Sequence, residues 1–193
     1  MTNGLAPLPH VGAAHAVLVN GAEALDMASR TMVAVVRSHS PTDPMTAKDT
    51  YGWVARMLMD YYRSYVAAGN APCESALNLG IVSAGIQELG VADGIFPAAL
   101  ACLTDERKAI TVIHWADTLV RTNRAANALA LLEKSAVEFP DHIDTQWAVA
   151  RTLAQLGQFA KARERYDALI GKVGDDESAM NLLQTERDAL PTQ

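Results

Sequence analysis

Residues 109–142 read AITVIHWADTLVRTNRAANALALLEKSAVEFPDH, and residues 143–176 read IDTQWAVARTLAQLGQFAKARERYDALIGKVGDD. The two stretches are equal in length and superpose without a gap. Trp115 falls on Val149, Ala116 on Ala150, Leu119 on Leu153, Ala128 on Ala162 and Leu132 on Tyr166, while Asn123 falls on Gly157. Gly and Asn most readily take the left-handed conformation that ends a helix, so each block predicts two short helices joined by a tight turn at Asn123 or Gly157. Ala116, Ala128, Ala150 and Ala162 are small where the two helices of a hairpin cross closely, and larger apolar residues fill the space around them. Pro140 closes the first block, and Asp141 is placed to N-cap the next helix. Two units of one length in register predict a helical repeat array and an all-α fold.

Working outward, Asp176 to Leu190 predicts a terminal capping helix. Asp176 is its N-cap, and Ala179, Leu182, Leu183, Glu186 and Leu190 form one stripe. The region 177–193 is thus a cap and tail. Upstream, 71–108 reads as a degenerate hairpin, with a block at 75–108 whose Leu89-Gly90 falls at the turn position. Pro97 is tolerated only in a first helical turn, so the second helix of that block is expected to start near Phe96 and to be short. Residues 13–70 predict two helices. One runs from about Gly21 to Ser38; the other starts at the Asp43-Pro44 cap and ends near Gly69. Residues 1–12, with Pro7 and Pro9, read as a loose arm. The second N-terminal helix carries Trp53, Met57, Tyr61 and Tyr65 on an apolar arc wider than one packing face needs. That arc is either a core helix held between neighbours or a self-association or partner surface.

The paired blocks resemble the tetratricopeptide repeat, a 34-residue helix–turn–helix. Ala116 and Ala128 stand at the family's two small positions, Asn123 at its glycine-like turn, Leu132 at its large apolar position and Pro140 at its closing proline. Ala150, Ala162, Gly157 and Tyr166 match the same places in the second block. Asn123 departs from the usual Gly, and Gly174 from the closing Pro. The resemblance implies a right-handed superhelix whose first helices line a concave groove. It places Ile110, Ile113, His114, Asp117, Val120 and Arg121 on that face in the first block, and Trp147, Arg151 and Gln155 in the second. Leu79 and Ile86 would join them from the degenerate block. Trp147, one turn from Arg151, is either an anchor for a partner or is covered by the C-terminal helix or the N-terminal arm. The basic clamp by which some family members grip acidic tails is missing, because Ile113, Asp117 and Trp147 stand where it needs Lys and Asn.

Composition narrows the function. Sixteen Lys and Arg against 22 Asp and Glu give a net charge of −6 in 193 residues, and no segment is strongly basic, so nucleic acid is a poor partner. The apolar runs Ala13–Val19 and Ile95–Leu103 fall short of the ~18 residues that a membrane span needs, so no membrane insertion is expected. The only two cysteines, Cys73 and Cys102, are too few for a disulfide framework, which points to a cytoplasmic chain, and they read as small, partly buried hydrophobes rather than as a redox pair. His10, His15, His39, His114 and His142 show no metal-binding spacing, and no phosphate loop, nucleophile elbow or dinucleotide fingerprint is present. The reading is therefore no enzyme, no cofactor and no metal.

What the resemblance implies is an adaptor or chaperone that binds a helical or extended segment of a protein partner, with a homodimer through the N-terminal helices. Small type III secretion chaperones are similar in size, acidity and helix count. Two alternatives stay open. One is a small helical enzyme or ligand-binding protein with a pocket between the N-terminal helices and the Gly-rich middle, using Tyr61, Tyr65 and His114. The other is a structural subunit of a larger assembly.

Overall fold

The computed structural model describes residues 21–39, 44–67, 72–174 and 176–191. The expected arm at 1–12, the Asp43 cap and the helix end near Gly69 lie outside them. Among the described residues there are nine α-helices and no strand. The chain divides in sequence between Leu103 and Thr104 into two compact units.

The first unit holds α1 (Ala22–His39), α2 (Pro44–Ala67), α3 (Cys73–Gly85) and α4 (Leu89–Leu100). The second holds α5 (Asp105–Arg121), α6 (Ala125–Glu138), α7 (Ile143–Gln155), α8 (Phe159–Lys172) and α9 (Glu177–Asp188). In the second unit α5 packs on α6 and α7, α6 on α7, α7 on α8, and α8 on α9. The four small residues at the hairpin crossings are all buried, as the repeat requires. Asn123 has φ 60° and Gly157 φ 72°, so the turn residues take the left-handed conformation that their identity predicts. Asp176 Oδ1 accepts from the Ala179 amide at 3.0 Å and caps α9. The stripe of α9 is narrower than expected, since Leu183 is buried but Leu182 is 46 % exposed.

The first unit repeats the same scheme without its sequence marks. α1 packs on α2 and α3, α2 on α3, and α3 on α4. Its core is Leu25, Met32 and Val36 from α1, Val54, Leu58 and Tyr62 from α2, Leu79 and Val82 from α3, and Phe96 from α4. The turn of the α3–α4 hairpin is not at Leu89-Gly90. Gln87 carries the left-handed φ of 65°, two residues upstream of the expected place, and Gly90 lies inside α4. The expected late start of the second helix is also corrected, because α4 begins at Leu89 and runs through Pro97. An interior proline costs about 3 kcal/mol. Burial of Ile95 and Phe96 against α3 offsets it at roughly 1.5–3 kcal/mol each, and the helix survives. Phe96 fits because Gly80 leaves a notch for its ring: a Cβ there would lie 2.5 Å from Cε1.

Two further expectations are corrected. Cys73 and Cys102 are not independent hydrophobes; they form a disulfide with Cα atoms 5.9 Å apart. The hairpin brings the start of α3 beside the end of α4, a proximity that a separation of 29 residues does not reveal. Asp141 does not cap α7. His142 does, with Nδ1 accepting from the Thr145 amide at 3.2 Å, while exposed Asp141 lies 3.6 Å from Lys172 Nζ. Loss of an N-cap acceptor costs about 1 kcal/mol, so His142→Ala is expected to lower unfolding stability by about that much, and His142→Asp to leave it unchanged. Urea denaturation followed by circular dichroism measures both.

Candidate functional site

In the second unit, α5 and α7 present one face each to a shared concavity of about 280 Å³. Both helices are anchored from behind: Ala116 and Leu119 of α5, and Val149, Ala150 and Leu153 of α7, are buried in the hairpin core. The residues between these anchors are thereby turned outward, at helical spacing. Ile113, His114, Asp117 and Val120 enter from α5; Ala148, Arg151, Thr152 and Gln155 enter from α7; Leu132 of α6 lies at the floor.

The charges of the concavity are compensated within the protein. Arg121 Nη1 lies 3.4 Å from Asp117 Oδ2, one helical turn away. Arg151 Nε lies 3.7 Å from Glu186 Oε1 of α9. Thr152 returns its hydroxyl to the Ala148 carbonyl at 2.8 Å, so it shows its methyl group outward more than its hydroxyl. What remains for a ligand is the apolar surface of Ile113, Val120 and Ala148, with His114 and Gln155 as polar neighbours. Such a mixed surface suits an amphipathic helix or an extended segment with apolar residues on one side.

The structure separates the residues that the repeat register put together. Ile113, His114, Asp117, Val120, Arg151 and Gln155 converge on the concavity. Ile110 is half-buried and does not line it, and Arg121 contributes through its pair with Asp117. Leu79 and Ile86 lie in the first unit and are corrected: with 0 % and 1 % of their surface exposed, they belong to its core and offer no partner a face. Trp147 is turned to α9. Its Nε1 donates to Glu186 Oε2 at 2.6 Å, and the Arg151 guanidinium carbon lies 5.7 Å from its ring centroid. Trp147 is half-buried, with its indole N–H engaged by the C-terminal helix.

Glu186 also accepts from the Tyr166 hydroxyl at 2.9 Å. Burial pushes the Tyr166 phenol well above its ordinary value, and the hydrogen bond to the Glu186 carboxylate pushes it further. Sequence reading missed this node, although a lone Glu on the apolar stripe of the cap was its signal. Burial likewise raises the Tyr62 phenol.

In the first unit, Trp53, Met57 and Tyr61 share a shallow hollow on the outer side of α2 with Arg56, Asp60 and Ser64. Trp53 is 48 % exposed. Tyr65 lies apart from them, its hydroxyl 3.4 Å from where a Cβ on Gly21 would be. A second hollow, of about 420 Å³, lies between α2 and α4. Tyr62 and Arg63 supply its polar atoms beside Met59, Val66, Gly90 and Gly94. Tyr61, Tyr65 and His114 are not among its lining residues. No group of three or more His, Cys, Asp or Glu able to hold a metal occurs among the described residues. No described helix is long and apolar enough to cross a membrane.

Comparison with known proteins agrees with the geometry of the second unit. Residues 119–186 match the family described as tetratricopeptide repeat. No curated protein matches the chain. A solved structure of MamA, from AMB-1, is similar in fold at 20 % identity, with a TM-score of 0.51, covering 86 % of this chain and 88 % of that one.

Proposed function

We infer that this chain, a tetratricopeptide-repeat protein by its second unit, is a protein-interaction adaptor that holds an apolar segment of a partner against α5 and α7. The observation that carries this reading is the concavity itself. Ile113, Val120 and Ala148 give it apolar lining, and the charged groups beside them, Asp117 and Arg151, already have ionic partners within the protein, so an apolar side chain settling there strands no charge. The preferred ligand is an amphipathic helix or an extended segment with apolar residues on one side. A chaperone that shields such a segment of an aggregation-prone client is the narrower form of the same activity.

The test is affinity capture of the tagged full-length chain from its host, followed by titration with the recovered partner. Ile113→Asp and Val120→Asp place an unpaired carboxylate in that lining and are expected to weaken binding by about 30-fold or more, the size of a binding hot spot. Circular dichroism should be unchanged, since neither residue is in the hairpin core. A partner that binds both variants at full affinity would remove the groove from the interface.

A second surface is supported by the exposure of Trp53 and by its hollow with Met57 and Tyr61. Aromatic and Met side chains on an outer helix face suit self-association. Sedimentation of the wild type should show a dimer that Trp53→Ala weakens; a monomer at high concentration would exclude this use of α2.

A further inference from the structure

The α3–α4 hairpin is closed at both ends. The Ile86–Glu88 turn closes one, and the Cys73–Cys102 bond closes the other, joining the first residue of α3 to the residue after the α4 C-cap. Among the described helices of its unit, α4 packs on α3 alone, through one face made of Ala92, Ile95, Phe96 and Ala99. On its opposite side, Cβ atoms added at Gly90 or Gly94 would meet nothing within 4 Å, and α2 faces it across a hollow, with Arg56 Nη1 3.8 Å from Oε1 of Glu88 at the head of α4. Pro97 also removes one backbone hydrogen bond from its interior. By contrast, α1, α2 and α3 each pack on at least two neighbours. The helix with a single helix neighbour is thus the one tied to that neighbour by the only two cysteines. Of the two, Cys102 is exposed and Cys73 half-buried, so a thiolate from solvent reaches Cys102 first.

We propose that the Cys73–Cys102 pair is a redox latch on α4, closed as the disulfide and opened by a dithiol, and that α4 is the element it releases. In opening, one thiolate of the dithiol attacks Cys102 Sγ; the bond to Cys73 breaks, and Cys73 leaves as a thiolate that takes a proton from water. The second thiol of the reductant then attacks the mixed disulfide and frees Cys102 as a thiol. The reductant departs as a disulfide, and two electrons have passed to this chain. Closing is the reverse, with an oxidised dithiol accepting the two electrons. The latch is shut where thiols are oxidised and open where thiol reductants prevail. Opened, it lets Phe96 leave the Gly80 notch and uncovers the side of α3 that α4 had covered.

The test is hydrogen exchange of the full chain, oxidised and then reduced with dithiothreitol, read by mass spectrometry. Amides of α4 are expected to exchange about 100-fold faster after reduction, from the loss of a loop constraint of this length. Helices α5 to α9 should change by less than twofold. The double variant Cys73→Ser/Cys102→Ser should match the reduced protein without any reductant. Unchanged protection of α4 would overturn the proposal. Loss of protection throughout α1–α4 would overturn it too, since the bond would then be a staple for the whole unit. A third measurement concerns the cell: protein whose thiols are trapped by alkylation in its host should carry the disulfide in at least one growth condition. Both cysteines alkylated under every condition would also refute it.

Discussion

Gly80→Ala is expected to destabilise the first unit by about 1 kcal/mol net, and Gly80→Val to leave it unfolded. Helix propensity predicts the opposite sign for the first change. Gly80 lies inside α3, where alanine is ordinarily better than glycine by about 1 kcal/mol. The deciding effect is steric. A Cβ at Gly80 would lie 2.5, 2.8 and 2.9 Å from Cε1, Cδ1 and Cζ of Phe96, whose ring is wholly buried. Either the ring must move within a filled core or α4 must shift outward, and overpacking of this kind costs about 1–3 kcal/mol before any gain in propensity is counted. Valine adds two methyl groups to the same collision, and a typical domain has only about 5–15 kcal/mol to lose. The argument is checked by a double-mutant cycle in urea. Phe96→Leu removes the ring edge, so Gly80→Ala/Phe96→Leu should be more stable than the sum of the single changes by about 1–2 kcal/mol. Additive losses would show that the notch does not govern the packing of α4.

Gly80 also shows why the two units were so unequally legible. In the second unit the marks of the repeat are local and recur. Small residues at Ala116, Ala128, Ala150 and Ala162 report close crossings, and Asn123 and Gly157 report left-handed turns, each supporting the other at a fixed spacing. The first unit packs its helices by the same scheme but solves each local problem differently. Its turn uses Gln87 in a conformation for which glutamine gives no signal, its close contact uses Gly80 under an aromatic ring, and its last helix carries a proline that pattern reading places at a helix start. The pairing of Cys73 with Cys102 becomes visible only when the hairpin is built, because contact between residues far apart in sequence is a property of topology and not of composition. The groove divides in the same way. The register of the repeat that the paired blocks resemble assigns Ile113, Asp117, Val120 and Arg151 to one face, and these four line the concavity. The fate of Trp147 depends on a second element, α9, which no spacing within the repeat could report.

That second element sets the last expected result: Glu186→Ala should loosen α9 and cost about 3 kcal/mol. One carboxylate oxygen, Oε2, accepts from Trp147 Nε1 at 2.6 Å and from the Tyr166 hydroxyl at 2.9 Å, and the other faces Arg151 Nε at 3.7 Å. Alanine leaves two donors without their acceptor, and Tyr166 is buried where water cannot replace it. An orphaned buried donor costs about 1–3 kcal/mol. Leu183 is the one buried residue of α9, which Arg187 and Arg163 also tie to α8 through Asp167 and the Leu190 carbonyl. Glu186→Gln retains an acceptor oxygen for both donors and should lose only about 1 kcal/mol, so the order of the two variants separates hydrogen bonding from simple packing. Alkaline pH supplies an independent reading. The Tyr166 phenol titrates higher in the folded chain than in the unfolded one, through burial and through Glu186. The unfolded chain therefore releases its proton first, and stability that is full below pH ~10 falls as the pH rises beyond it. Glu186→Gln removes part of that shift and should flatten the fall. The same node decides how a Trp147 variant is to be read. Trp147→Ala removes a donor from Glu186 and a ring from beneath Arg151, so it should loosen α9, raising amide exchange over Glu177–Asp188, before it touches any partner. Loss of binding in Trp147→Ala without faster exchange in α9 would return Trp147 to the groove.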